Sequence, residues 1–514
     1  MADEHDPNSK TYQIGRSRPP LEVEDLPTPE EVFKVKRIRL EELLLYVLGP
    51  SVIALGISLG SGEWMLGPLN IGLRGFQGIG WVILVSAVLQ VFYIVEVARF
   101  TLATGEAPIL AFGRTPPHWV VWVPLALFSF YSAFILGGWA TSASQSLFAL
   151  IVGRPSAPAE AELVRILAIA LLLTTYLFVI FGRKIERTLE ASQGVFMAFL
   201  LIGLTVVTLV VVPLNVWGQA WLSLVTFTAP PKGTDPSLLG SLAGFTALAS
   251  GLNFMVVGYY RDKGYGMGAK VGYLSGWIGG KGGTLSASGK IFPEDQKNAI
   301  VWKRWFRYLL IDQWGVYFIG CLIGILVPSI LVSYLSKISG AEALSSGTII
   351  TYAATQLGQR FGPVLFGWAL LMGFGMLWTT QIVVLELLVR NMTDAVYGLS
   401  GRVRQWLGHD PRKFYYGYML FLIVVIGVIL HLTSSLPALV VSLSGNLSNF
   451  AALVFPFVMM YLNSRLPKPA KITWWSYLVL LANALFFGFF FLNFVSVTFF
   501  KVPLVELLGQ LGSR

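Results

Sequence analysis

The chain has 514 residues, 55% of them hydrophobic and only 12% charged, about half the charged share of an ordinary soluble domain. With a mean hydropathy of +0.68, this excludes a soluble enzyme and leaves room for about ten or more helical spans of roughly 20 residues. The net charge of +10 decides nothing until the basic residues are placed, because membrane topology and nucleic-acid binding both collect them.

Residues 1–39 are polar, proline-bearing and mixed in charge, without the apolar run of a signal peptide, and predict a disordered cytosolic tail. Eleven apolar runs of span length follow, at about 43–73, 78–102, 119–152, 164–181, 194–212, 238–260, 308–334, 364–389, 415–432, 436–462 and 474–500. Runs such as 81–92 are apolar on all sides, which predicts an all-α membrane protein rather than the alternating strands of a barrel. Two five-helix repeats are expected over 40–213 and 214–463, the second with a cytosolic connection at 261–307, leaving 464–514 for an eleventh helix and the C-terminus. With the N-terminus inside, 29 of the 37 Lys and Arg residues fall on the cytosolic side and 8 outside. That asymmetry fits a cell (inner) membrane protein with its C-terminus outside, and it accounts for the basic excess without nucleic acid. Cys321, the one cysteine, reads as a small core residue. Lys281 in a Gly-Gly-Lys-Gly-Gly stretch lacks both the following Ser or Thr and the preceding strand of a phosphate loop.

Two spans read as interrupted. The first carries Gly56, Gly60, Gly62 and Gly67 around Glu63, a poor composition for a simple anchor, since glycine weakens helices and an ionised carboxylate in lipid is costly. The sixth has Ala247-Leu248-Ala249-Ser250-Gly251-Leu252-Asn253. Interruptions at corresponding positions of two halves point to an inverted-repeat secondary transporter with its site at the bilayer midplane. Close packing through small residues accounts for Gly56 and Gly60 equally well.

Gly49-Pro50, the break at 59–64, Gly78-Ile79-Gly80-Trp81, Leu89-Gln90, Thr104-Gly105-Glu106, Gly182-Arg183-Lys184-Ile185-Glu186 and Ile311-Asp312 resemble the Nramp (natural-resistance-associated macrophage protein) divalent metal transporters. The resemblance implies a LeuT-like 5+5 inverted repeat with broken helices one and six, moving divalent transition metals, usually with protons. Its metal-site motif Asp-Pro-Gly-Asn falls on Gly60-Ser61-Gly62-Glu63, so Gly60 stands for the metal-binding Asp. The sixth-helix Met and His fall on Leu252 and Phe254, and span three, 119–152, has no acidic residue.

Without a thioether, a preference for soft transition metals loses its main support. What remains is a hard-oxygen set: Glu63, carbonyls around Ile57 and Ala249, and neutral oxygens of Ser58, Ser250 and Asn253. It suits a divalent metal cation such as magnesium, and equally Na⁺ or an organic ammonium. Glu63 also reads as a first-turn residue behind a Ser61 N-cap, or as a proton carrier together with Asp312. Asp312 has two competing readings, a pair with Arg307 or a helix start.

Thr379-Thr380-Gln381, Ser442, Ser444, Asn446 and Asn449 read as interhelical hydrogen bonds before ligands. Glu96 is expected to pair with Arg99 and Glu386 with Arg390, while Tyr259 to Lys263 reads as an interfacial anchor. The expected function is a secondary active transporter of a divalent metal cation, with no cofactor and no enzymatic activity. Its expected partners are the bilayer and a small cation, and its expected state is a monomer. The alternatives are the same fold carrying an organic amine, amino acid or monovalent ion, and a membrane sensor that does not transport.

Overall fold

The computed structural model describes residues 22–43, 49–133, 138–180, 185–248, 250–273, 288–339, 348–432 and 437–504, with 286, 344 and 506 as single positions besides. Seven described helices are long and apolar enough to cross a membrane: Gly80–Thr104, Pro158–Ile180, Gln296–Ser339, Pro363–Leu399, Pro411–Ile429, Val441–Asn463 and Trp474–Phe500. Shorter apolar helices at Trp119–Ser132, Met197–Val211 and Pro236–Phe245 fill the places between them. Helix ends fall where the sequence supplies stop signals. Gly105 closes span two at φ 68, a left-handed C-cap open to glycine, and a Cβ there would lie 2.6 Å from the Met267 carbonyl oxygen. Pro363 and Pro411 open spans eight and nine, where a missing amide costs nothing.

Several boundaries move from their sequence positions. Span seven starts at Gln296 rather than near 308, because Trp302, Trp305 and Leu309 bury one face of an otherwise polar stretch. Span eight runs to Leu399, ten residues past its expected end, because Arg390, Asn391 and Asp394 are buried by neighbours rather than presented to water. Pro108–Arg114, Leu214–Val225 and Ile349–Phe361 form connecting helices. Lys281 and its flanking glycines lie outside the described residues.

The disordered-tail expectation is corrected over 22–33. Glu22–Val23 pairs in parallel with Lys290–Ile291, and Thr28 closes a capping box on the helix Pro29–Phe33. The Leu26 amide donates to Asn298 Oδ1 at 2.9 Å and Trp305 Nε1 donates to the Pro27 carbonyl at 2.7 Å. Glu24 pairs with Lys290, Asp25 with Lys297 at 3.0 Å, and Glu30 with Arg304. A composition that reads as disordered counts these acids as solvated, whereas bases 266 to 274 positions away neutralise them.

Lys290 holds the Glu24 carboxyl, and Lys297 the Asp25 carboxyl, below their ordinary values of 4.5 and 3.8. Docking therefore favours the ionised acids: its contribution is complete above those ordinary values and is lost as pH falls through the depressed ones. Glu24 raises Lys290 above 10.5, so that part is complete below 10.5 and disappears as pH rises through the raised value. A nitroxide on Glu22→Cys, in a Cys321→Ser background, should be immobile from about pH 5 to 10 and gain mobility on either side. An unchanged spectrum at pH 7 after Glu24→Gln/Asp25→Asn would remove the ion pairs from docking.

Candidate functional site

Span one is helical over Pro50–Ser58, passes through a π-helical segment Leu59–Leu66 and resumes at Gly67–Arg74. The interruption is thus a wide turn rather than an unwound strand. Insertions of this kind loosen the i to i−4 ladder and are frequent at functional sites. Gly60 sits inside the wide turn, and a Cβ on it would lie 2.6 Å from Thr380 Cβ of span eight. The missing side chain lets the two spans touch. Thr380 Oγ1 then donates to the Gly56 carbonyl at 2.7 Å and the Ile57 carbonyl at 3.3 Å. Ser58 Oγ lies 3.4 Å from Cys321 Sγ of span seven. The Ile57 carbonyl, expected to be freed for a ligand, is held by this threonine, as the interhelical reading of Thr380 predicts.

Span six breaks completely. Pro236–Phe245 ends at Thr246, Ala247 and Leu248 have φ of 55° and 84°, and helix resumes at Ser250–Val256. Two successive non-glycine residues in the left-handed region are strained backbone, which persists only where surroundings over-determine it and which clusters at functional sites. The surroundings are close: a Cβ on Gly251 would lie 2.6 Å from the Ser129 carbonyl oxygen of span three, and Asn449 Nδ2 of span ten donates to the Gly240 carbonyl at 2.9 Å. Asn253 donates to Gln90 Oε1 of span two. Asn253 Oδ1 and Gln90 Nε2 are buried without a hydrogen-bond partner among the described residues, as are both polar atoms of Gln381. Buried amides normally find partners, and these four atoms are among the buried polar atoms that have none among the described residues. Phe254, at the family histidine position, instead packs its ring 4.9 Å from those of Phe130 and Phe455.

Of the sequence-predicted set, Gly60, Ile57 and Ser58 come together on spans seven and eight, and Asn253 joins span two. The side chains of Glu63 and Ser250, and Ala249 as a whole, lie outside the described residues. Among the described residues no three His, Cys, Asp or Glu converge.

Asp312 belongs to a separate cluster. It lies in a second π-helical segment, Ile311–Phe318, fully buried, and accepts from Tyr260 Oη of span six. Gln313 Nε2 donates to Tyr260 Oη at 2.7 Å and to Ser51 Oγ at 3.1 Å, while Ser51 Oγ donates to the Asp312 carbonyl at 3.0 Å. Neither the Arg307 pair nor the helix-start role holds, since the residue is inside a continuous helix with a tyrosine as its partner. Ser51 precedes Ser58 by seven residues, which sets this cluster about 10 Å along span one from the junction.

Tyr259 to Lys263 is likewise not an interfacial anchor. Tyr259 and Tyr260 are 0% exposed and Arg261 and Asp262 3%, because they face partners on spans seven and eight. Arg261 pairs with Asp262 at 3.1 Å and Asp394 at 3.0 Å, and Arg390 with Asp262 and with Glu386 at 2.6 Å. Tyr415 Oη donates to Glu386 Oε1 at 3.0 Å, and Tyr259 donates to the other oxygen. The expected Glu386 and Arg390 pair is therefore one edge of a five-charge network. Glu96 pairs with Arg99 at 2.9 Å as expected, and Asn463 and Ser476 also donate to it, at 3.1 and 2.8 Å.

Solved structures share this architecture. A manganese transporter mutant from Eremococcus coleocola superposes with a TM-score of 0.56 at 16% identity, covering 95% of this chain and 93% of that one. A second mutant of the same protein gives 0.55 at 15%, covering 96% and 94%. MhsT in complex with L-phenylalanine gives 0.54 at 15%, covering 87% and 98%. No protein-family description and no curated protein sequence matches the chain. At these identities the likeness shows the fold, an all-α membrane architecture of the LeuT-like class.

Proposed function

We propose that this chain is a secondary transporter that moves a small cation by alternating access around the interrupted first and sixth spans. The observation that carries the proposal is the pair of interruptions itself, a π-helical turn at Leu59–Leu66 and a strained break at 246–248, both packed into the bundle. A membrane protein that only anchored or signalled would gain nothing from unpartnered amides and left-handed backbone beside them.

In this reading Glu63 is the charged ligand, and Gly60 leaves the space that brings span eight against it. The Ala249 carbonyl, with Ser58, Ser250 and Asn253, supplies neutral oxygens, while the Ile57 carbonyl stays with Thr380 in the wall beside them. This hard set favours a divalent ion that keeps part of its water, magnesium being the type case. Asp312, in its own cluster with Tyr260, is placed to exchange a proton during the cycle and serves as a relay distinct from the cargo site. The two repeats span 40–213 and 214–463, the N-terminus is cytosolic and the C-terminus outside, in the cell membrane, with the monomer as the working unit.

Glu63→Gln in proteoliposomes should abolish Mg²⁺ or Mn²⁺ flux, read with an internal fluorescent reporter, while the folded yield stays at the wild-type level. Wild-type flux in that variant would remove Glu63 from the mechanism. One observation favours a second cargo, an organic ammonium or amino acid. Phe245 ends the first half of span six with Trp139 packed 6.1 Å from its ring, an aromatic pair of the kind that accepts organic cations. Competition of Mg²⁺ flux by a panel of small amines decides between them.

A further inference from the structure

Spans four and nine lie side by side but do not close against each other along their whole length. A Cβ on Gly427 of span nine would lie 3.8 Å from Ile169 Cγ2 of span four, an ordinary contact. Nearer the start of span nine, a Cβ on Gly417 would meet nothing within 4 Å. There a cleft of about 410 Å³ opens, lined by Tyr176 and Ile180 of span four and by Lys413, Tyr416 and Gly417 of span nine. Two contacts hold its walls together. Tyr416 Oη donates to the Val179 carbonyl at 3.3 Å, and the rings of Tyr176 and Tyr416 meet edge-on at 6.2 Å.

Both walls continue into faces that a bilayer covers. Along span nine, Lys413, Gly417, Leu420 and Val424 follow one another at helical spacing on one face, and Leu420 and Val424 are exposed. Along span four, the exposed Leu173 and Leu177 precede Ile180 at the same spacing. Large apolar side chains exposed on membrane-spanning helices face acyl chains. An occupant of the cleft therefore arrives from the bilayer and brings an apolar tail.

Its head meets a cation. Lys413 ends the span-nine stripe and forms no salt bridge among the described residues. Its ammonium reaches back toward the connection before span nine, where a Cβ on Gly408 would lie 3.6 Å from Nζ. The neighbouring acid is already taken: Asp410 accepts from Arg412 at 2.8, 2.9 and 3.2 Å. A lysine whose stem lines an apolar cleft while its head reaches the boundary is the usual arrangement at a membrane interface, and tyrosines gather at the same level.

We propose that this cleft binds one anionic phospholipid, with its phosphate on Lys413 and an acyl chain along the exposed leucine and valine faces of spans four and nine. A zwitterionic lipid has the same tail but sets its own cation against Lys413. A soluble phosphate ester has the charge but no tail to fill the cleft. The site is independent of what the protein transports.

Native mass spectrometry of the full chain in detergent, titrated with phosphatidylglycerol or phosphatidylcholine, reads the concentration that half-fills the first lipid site. The wild type should prefer phosphatidylglycerol by about fivefold, the effect of one basic residue facing an anionic lipid. Lys413→Gln should erase that preference. Lys471→Gln, which removes an equal charge from the connection before span eleven, should leave it within about twofold, because charge beyond a Debye length is screened. Gly417→Phe places a ring where a Cβ meets nothing, and should erase the preference by filling the cleft; it decides the matter should Lys413→Gln fail to fold. Equal losses in the two lysine variants, no preference in the wild type, or a full preference in folded Gly417→Phe overturns the site. Displacement of the lipid by an equal concentration of glycerol phosphate also overturns it, since the headgroup alone would then suffice. No flux is read, so this outcome and that of Glu63→Gln are separate.

Discussion

Arg390→Leu should lower the stability of the folded protein by about 3–5 kcal/mol, the cost of removing one partner of a buried ion pair. The Arg390 side chain is 0% exposed and contacts two acids at once, Asp262 and Glu386, whose side chains are 1% and 0% exposed. Its guanidinium also lies 4.9 Å from the centre of the Tyr259 ring. Leucine fills similar volume but leaves both carboxylates without this cation. Asp262 keeps Arg261 at 3.1 Å, so Glu386 suffers more, left with only the hydroxyls of Tyr259 and Tyr415. Arg390→Leu combined with Glu386→Leu should therefore be less harmful than the sum of the two single changes, since neither leaves an uncompensated charge for the other to meet. Arg390→Lys should fall between, because a point charge cannot span both acids as the planar fork does. Thermal unfolding in detergent, followed as apparent Tm and as folded yield, measures all four. A fall of under about 1 kcal/mol for Arg390→Leu would place this network among pairs whose desolvation cancels their attraction.

That network shows where sequence reasoning reached its limit. Glu386 and Arg390 are four apart on one helix and their pairing follows from helical spacing alone. Asp262 and Asp394 enter through packing of span six on span eight, across 128 and 133 positions, and nothing local signals it. The Tyr-Tyr-Arg-Asp-Lys stretch looked interfacial because the same residue types serve at membrane boundaries and in buried networks. The interruptions were legible because glycine content and an acidic residue at mid-depth are local violations of a good span. Their form was not: a π-helical turn in span one and a left-handed break in span six are settled by neighbours, Thr380 in one case and Ser129 in the other. The segment 22–33 departs from its sequence expectation for the opposite reason. Its acids have a disordered composition, and only the fold brings Lys290, Lys297 and Arg304 to meet them. Asp312 was found as a candidate, but Tyr260, Gln313 and Ser51 around it carry no pattern that links three spans.

Gly60→Ala should abolish cation flux while leaving a folded protein, destabilised by about 1–3 kcal/mol as overpacked sites are. The new methyl would lie 2.6 Å from Thr380 Cβ and 3.1 Å from its Cγ2. Threonine has little rotamer freedom in a helix, and turning it exchanges the hydroxyl for the methyl without clearing the space. The spans must therefore part, and Thr380 Oγ1 leaves the carbonyls of Gly56 and Ile57, which form the wall of the proposed cargo site. Thr380→Ala separates the two effects: it removes both hydrogen bonds without a clash, so its flux isolates the contribution of the hydroxyl. Thr380→Gly placed on Gly60→Ala removes the obstructing Cβ as well and should recover part of the flux, less about 1 kcal/mol of stability for a glycine inside a helix. If Gly60→Ala transported at the wild-type rate, contact between spans one and eight would be irrelevant to the cycle. If Thr380→Gly recovered nothing, the glycine would be required by the wide turn itself rather than by its neighbour, and the site would have to be defined by the backbone of span one.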